Sequence, residues 1–153
     1  MITFYDLWKI KTRIAASRDT AAHKRNLKLL ELKDLSIDEI IEKFTFKVMC
    51  EENKEFCALL VRKKPCHEMN AEDLNCYSCM CQNYKLEIGF DKEQNLYKIG
   101  FCQANSKFGF YKATHTKEEN PKNYLILNCI NCNIPHNKVF IKGKIEQDIK
   151  KFL

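Results

Sequence analysis

Two short cysteine pairs constrain the fold of this chain more than any other feature. Cys76 and Cys79 form one C-x-x-C motif, and Cys129 and Cys132 form a second. Between the two motifs lie three stretches of alternating apolar and polar residues, the pattern typical of β-strands. A tetrahedral Zn²⁺ takes four soft ligands, and two C-x-x-C turns brought together by a small sheet supply four thiolates. The spacing therefore predicts one structural zinc in a ribbon-like arrangement.

The exact ligand set stays open at the sequence level. Cys81 competes with Cys76 or Cys79 in the first turn, since it lies only two residues beyond Cys79. His136 follows Cys132 by four residues and is a candidate substitute ligand or a group that orients a ligand. Loss of the shared zinc would separate the two cysteine pairs, so the same four thiols should be required for folding.

A second group of potential ligands lies in the middle of the chain. Its members are close in sequence and would make a Cys₃His set: Cys50, Cys57, Cys66 and His67. Six residues between Cys50 and Cys57 is an unusual spacing for zinc ligands, so burial as small apolar side chains is the favoured explanation of these two cysteines. Together with the two C-x-x-C pairs these residues follow the C3HC4 order of RING domains, which makes a RING-like ubiquitin ligase module an alternative. The irregular spacing argues against that alternative.

The nine cysteines also bear on the compartment. Clustered cysteines are metal ligands in reducing compartments more often than they are disulfides. The first ten residues include Asp6 and Lys9, so no apolar signal-peptide region is evident, and no stretch resembles a transmembrane helix. We expect an intracellular protein, in the cytoplasm or nucleus, with no membrane partner.

The net charge of +6 is unevenly distributed. Residues 1–28 carry +5, residues 29–60 carry −4, and residues 61–153 carry +5. A basic helical segment favours an acidic partner such as nucleic acid. The candidate contacts are the basic residues of this segment: Lys9, Arg13, Arg18, Lys24 and Arg25. A solvated helix face is the alternative explanation.

The first 44 residues show helical spacing. Phe4, Leu7, Trp8 and Ile14 share one helical face, and Arg18-Asp19-Thr20 predicts a break before a second helix that ends near Leu32. Ser36 and Glu39 have the spacing of a capping box, which predicts a third helix to about Phe44.

Strand-like alternation follows from Thr45 onwards. The predicted strands are 45–50, 55–62, 84–90, 97–101, 108–113, 124–129 and 138–141, and a short helix is predicted from Lys144 to Leu153. Aromatic residues with interleaved lysines decorate the predicted sheet, and alternation favours burial of their face over exposure for base stacking. We predict an α+β protein with a helical segment, residues 1–44, packed on a mainly antiparallel, zinc-stabilised β-rich domain, residues 45–153.

The function predicted from these features is non-enzymatic. Phosphate-binding glycine loops, the H-E-x-x-H zinc motif and the G-x-S-x-G nucleophile motif are absent from the sequence. A zinc-binding module that binds nucleic acid, or that assists a nucleic-acid-associated complex, fits best. The alternative is a protein–protein interaction or a structural or regulatory factor. The frequent Lys and Asn are typical of AT-rich genomes, viral ones among them.

Overall fold

The computed structural model describes residues 1–79 and 81–152 and has an α+β fold. Within those residues, five α-helices and a four-stranded open sheet follow one another along the chain. The helices are α1 (Phe4–Glu31), α2 (Ile37–Lys43), α3 (Phe46–Glu52), α4 (Ala58–Val61) and α5 (Lys138–Phe152), and the strands are β1 (Tyr84–Asp91), β2 (Leu96–Cys102), β3 (Phe110–His115) and β4 (Asn123–Asn128). Short 3₁₀ turns span Lys54–Phe56 and Ile134–His136.

Helix α1 begins at a reciprocal cap. The backbone N–H of Thr3 donates to Asp6 Oδ2 at 2.9 Å, and the Asp6 N–H donates to Thr3 Oγ1 at 3.2 Å. The break expected at residues 18–20 is wrong, because α1 continues without interruption to Glu31. Neither Gly nor Pro occurs in this stretch, and the Ala21-Ala22 pair that follows has the highest helix propensity.

Helix α2 confirms the predicted capping box. Glu39 N–H donates to the Ser36 hydroxyl at 3.4 Å, and the Ser36 N–H donates to Glu39 Oε2 at 2.8 Å. Ile40 and Ile41 form its buried face.

The two strands predicted at 45–50 and 55–62 are helical instead. Phe46, Met49 and Cys50 are the buried residues of α3, and their spacing of three and four is helical. The second segment forms a 3₁₀ turn and the single turn α4, in which Leu60 is buried. β-branched Thr45 and Val48 favoured a strand locally, but packing decided the conformation.

The remaining strands form a sheet of order β1-β2-β4-β3. β1 pairs with β2 and β3 with β4 in antiparallel fashion, whereas β2 and β4 are parallel, so the sheet is mainly antiparallel. The β1–β2 turn is held by Asp91 Oδ1, which accepts from the N–H groups of Glu93 at 3.1 Å and Gln94 at 3.0 Å. Asn95 takes a positive φ of 54° in this turn.

The strand predicted at 138–141 is the first turn of α5. Asn137 Oδ1 accepts from the Val139 N–H at 2.9 Å and caps the helix, which continues through Gly143. Ile141, Ile145 and Asp148 form its buried face. Leu153, predicted as the last residue of this helix, lies outside the described residues.

The chain divides into two compact units that interleave in sequence. Unit 1 comprises residues 1–19 and 82–129, and unit 2 comprises residues 20–81 and 130–153. The core of unit 1 contains Ile2 and Leu7 from the N-terminal segment and Ile99 and Tyr124 from the sheet. The core of unit 2 brings together α2, α3, the segment 74–77 and α5, with Tyr77 and Phe44 as its largest fully buried side chains.

Candidate functional site

The predicted zinc ligands are distributed over both units. Cys76, Cys79 and Cys132 belong to unit 2, whereas Cys129 is the last residue of unit 1. In the first motif the Cys76 N–H donates to the Phe44 carbonyl at 2.7 Å, and the Cys79 N–H donates back to the Cys76 carbonyl at 3.2 Å. Residues 76–79 thus form a hydrogen-bonded turn.

Cys76 lies among other thiols of unit 2. Burial raises the pKa of its thiol strongly, and Cys79, Cys66, Cys57 and Cys50 each add a further unfavourable interaction with a Cys76 thiolate. Cys50 and Cys76 are both buried in the core of this unit. The structure therefore brings Cys50, Cys57 and Cys66, which the sequence placed in a separate set, towards the first C-x-x-C motif.

Two further thiols near Cys76 have a raised pKa. Burial also raises the pKa of Cys50 and of Cys66, and nearby Cys57 raises the pKa of Cys66 further. Cys57 instead caps α4, where its Sγ accepts from the Leu59 N–H at 3.4 Å. Across residues 1–79 and 81–152, no three His, Cys, Asp or Glu side chains are arranged as a ready metal-binding group.

The two histidines of the candidate set are neighbours. The rings of His67 and His136 are 4.3 Å apart at their centroids and meet edge to face. His136 Nδ1 lies 2.6 Å from the Asn75 carbonyl oxygen, and because a carbonyl only accepts, Nδ1 carries the proton. Burial, with His67 adding to it, lowers the pKa of His136 to about 4. His136 is therefore a neutral, oriented ring whose Nε2 is a lone-pair acceptor.

The other two cysteines have separate environments. Cys81 is half-buried. Cys102 ends β2, and its Sγ accepts from the Ser106 N–H at 3.5 Å. It is half-buried, so it is less enclosed than a core cysteine.

The basic residues predicted to contact nucleic acid have diverse roles. Arg18 donates to the Tyr84 carbonyl at 3.1 Å, and Lys24 donates to the Glu55 carbonyl at 2.8 Å. Arg25 lies 3.9 Å from buried Asp148 with only 12% of its side chain exposed. Lys9 pairs with Asp6 at 3.6 Å, and Arg13 is exposed.

The sheet of unit 1 carries aromatic rings that alternation alone assigned to a buried face. Phe101 and Phe110 are 38% and 42% exposed, and Phe108 is 40% exposed. Lys85 pairs with Phe101 in the β1–β2 register, and Phe110 pairs with Asn128 in the β3–β4 register.

These residues lie at one end of the sheet. Phe101 and Asn128 are each two residues beyond the paired Ile99 and Ile126 of the parallel strands β2 and β4. Lys85, Phe101, Asn128 and Phe110 thus form a row across all four strands. Gly100, with a φ of +85°, and a register shift between Lys85 and Ile88 interrupt the regular alternation of faces at this end.

Lysines accompany the exposed rings. The Lys107 ammonium lies 5.4 Å from the centroid of the Phe108 ring, and exposed Lys112 follows Phe110 on the same strand face. The stretch from Phe101 to His115 contains no Asp or Glu. We call this group of six residues the sheet-end platform: Lys85, Phe101, Lys107, Phe108, Phe110 and Lys112.

Within the described residues, no helix combines the length and apolar character needed to cross a bilayer. Comparisons of the chain with protein families, with curated proteins and with solved structures found no match.

Proposed function

We propose that this protein is a non-enzymatic module that binds single-stranded nucleic acid through the sheet-end platform. The observation that carries the proposal is the exposure of Phe101 and Phe110 at the same end of the sheet, in a stretch from Phe101 to His115 that contains lysines but no Asp or Glu. Strand β4 lies between the strands that carry the two residues, so their backbones are roughly 10 Å apart.

Stacking and charge act together at such a surface. Bases stack on aromatic side chains with about 1–3 kcal/mol per base, and this gain tolerates any sequence because every base has a π-face. In this proposal Lys85, Lys107 and Lys112 neutralise phosphates of the bound strand. The rings of Phe101, Phe108 and Phe110 do not pack as an ordinary core, since each remains about 40% exposed.

The test is fluorescence anisotropy of the full-length protein with labelled fifteen-nucleotide oligo-dT and oligo-U. Phe110→Ala is expected to weaken binding by about 5- to 100-fold, the range that one lost stacking contact implies. Three phosphate contacts predict a slope of log K against log salt near −2, or about a 15- to 20-fold loss between 50 and 200 mM salt.

The chain offers a matched control for the aromatic substitutions. Phe152 is 41% exposed and has the Lys151 ammonium 5.1 Å from its ring centroid, so it reproduces the chemistry of Phe108 and Lys107 in unit 2. Phe152→Ala should leave oligonucleotide binding unchanged. Equal losses for Phe108→Ala and Phe152→Ala, or a flat salt response, would remove the platform as the binding surface.

We also propose that the thiol cluster around Cys76 binds a structural zinc. The support is the packing of Cys50 and Cys76 in one core, with half-buried Cys57 against it, and burial there raises the pKa of Cys50 and of Cys76. Zinc would displace the thiol protons and couple its own binding to folding. Elemental analysis of protein purified without chelator tests the proposal, and a folded protein without stoichiometric zinc would refute it.

A second candidate function is docking to a protein partner through the start of α1. Phe4, Tyr5 and Trp8 are 67%, 64% and 51% exposed, whereas Leu7, which shares the predicted apolar face with Phe4 and Trp8, is fully buried. Tyr5 and Trp8 stack with centroids 6.2 Å apart, and Lys9 lies over Tyr5. Aromatic residues of this kind are enriched at interface centres. Trp8→Ala should abolish partner recruitment while oligonucleotide binding persists.

A further inference from the structure

A groove in unit 2 has the opposite charge to the chain as a whole. Its volume is about 1100 Å³. The charged residues that line it are Asp38, Glu42, Glu68, Glu72, Asp73 and Lys138. The lining therefore carries a net charge of −4, whereas the chain carries +6. We call this feature the acidic groove.

The walls of the acidic groove come from separate parts of the sequence. Helix α2 contributes Asp38, Ile41 and Glu42, whose spacing of three and four places them on one helical face. The beginning of α5 forms a second wall with Val139 and Phe140, and the turn at residues 68–74 closes the third side.

The positively charged Lys138 and the N-terminus of α5, which both line the acidic groove, already have interaction partners. The Lys138 ammonium lies 3.3 Å from Asp38 Oδ1, and both side chains are well exposed. At the N-terminus of α5, the Val139 N–H donates to the Asn137 side chain at 2.9 Å. The groove is therefore poorly suited to an anion.

A buried acceptor at the groove supports the same conclusion. His136 lines the groove and is only 4% exposed. Its Nδ1–H donates to Asn75, and its Nε2 has no hydrogen-bond partner among the described residues. A buried acceptor without a donor is unfavourable, so a ligand that brings an N–H group would satisfy it.

The distribution of these acceptors decides the class of ligand. A metal ion needs at least three donors around one point, and the carboxylates described along this groove form no such group. The carboxylates are instead spread along a groove whose walls also include apolar Ile134, Phe140 and Val139, the last of them 80% exposed. Separated carboxylates with apolar surface between them are complementary to an extended ligand that carries both basic and apolar groups.

We propose that the acidic groove binds a basic, amphipathic peptide segment of a partner protein. Its Lys or Arg side chains pair with the carboxylates of α2 and of the turn at 68–74, and its apolar side chains cover the wall formed by Val139 and Phe140. This surface lies wholly in unit 2 and is independent of the sheet-end platform.

The test uses full-length protein and a labelled fourteen-residue peptide with Lys and Arg on one helical face and Leu on the other. A matched peptide carries Glu in place of every Lys and Arg. Fluorescence anisotropy should show binding of the basic peptide only. The triple variant Glu42→Gln, Glu68→Gln and Glu72→Gln should weaken binding by about 10- to 100-fold, since each exposed pair is worth about two- to fivefold.

A second triple variant controls for net charge. Glu31, Glu93 and Glu146 are exposed residues outside the groove, and changing all three to Gln alters the net charge by the same amount. This control should bind the basic peptide like the wild type. All six substitutions are on exposed side chains, so melting curves should confirm that both triple variants fold.

Several outcomes would overturn the proposal. Equal losses in the two triple variants would show nonspecific attraction by net charge, and equal binding of the acidic peptide would show that charge is irrelevant. Complete displacement of the peptide by equimolar spermine would show that the groove binds any polycation nonspecifically. A dimer in sedimentation velocity that the groove triple variant abolishes would identify a second copy of this chain as the occupant.

Discussion

Replacing Asp148 with Asn should destabilise unit 2 more than any surface change on the same helix. Asp148 is 3% exposed and lies on the buried face of α5. Its Oδ2 accepts from the Tyr77 hydroxyl at 2.9 Å and lies 3.9 Å from Arg25 Nε, and its Oδ1 pairs with the Lys144 ammonium. One carboxylate thus accepts a hydrogen bond from a phenol and forms ion pairs with two cations.

The magnitude follows from these contacts. Asn preserves the shape but leaves two cations without a counter-charge, and their side chains are only 12% and 16% exposed. Removing one partner of a buried ion pair costs about 3–5 kcal/mol, and the residual solvent contact of Arg25 and Lys144 favours the lower end of that range. Tyr77→Phe deletes only a hydrogen bond to a charged acceptor, so about 1.5–2 kcal/mol is expected.

Urea unfolding of the full-length protein, followed by fluorescence and by circular dichroism, measures both changes as shifts of the midpoint at constant slope. The double variant should be less destabilised than the sum of the single variants by about 1 kcal/mol, because Tyr77→Phe removes the hydrogen bond whose acceptor Asp148→Asn makes neutral. Exposed Glu146 on the same helix is the control, and Glu146→Gln should stay within about 0.5 kcal/mol of wild type. If Asp148→Asn lowered the free energy of unfolding by less than about 0.5 kcal/mol, the assignment of Asp148 as a buried, paired carboxylate would be refuted.

Three further predictions concern single positions. Gly100 has a φ of +85°, and a Cβ at this position would lie 2.4 Å from the Tyr84 hydroxyl oxygen. Gly100→Ala should therefore lower the free energy of unfolding by about 2–4 kcal/mol, because it adds backbone strain and overpacking. An unchanged melting temperature would contradict this prediction. Hydrogen bonds from Lys122 and Thr3 hold the pKa of Asp6 well below its ordinary value of 3.8, so its stabilisation is present at neutral pH and is lost as the pH falls below that value. Asp6→Asn should therefore flatten the acid limb of the stability curve, and an unaltered limb would disprove the role. Cys76→Ser should release zinc and unfold unit 2, whereas Cys102→Ser should keep the metal content unchanged; equal zinc in both variants would exclude Cys76 as a ligand.

Local signals predicted much of the secondary structure. The alternation over Tyr84 to Phe101 and the capping box at Ser36 both correspond to elements of the structure. These succeed because a period of two residues, or a cap spaced three residues from its partner, is a property of a short stretch of backbone. The prediction of strands between Phe46 and Val61 was wrong because the few β-branched residues there favoured strands locally. Burial of Phe46, Met49 and Cys50 together required a helix instead.

The chemistry of the surface was decided by tertiary structure. Sequence spacing identified cysteine pairs, yet only the fold of unit 2 places Cys50, Cys57 and Cys66 near Cys76. Asp38 of α2 and Glu72 of a distant turn line one groove only because α2 and α5 pack together. Local sequence predicts that Phe101 and Phe110 lie on or beside strands, but their exposure depends on which element covers the sheet, and local sequence carries no information about that element.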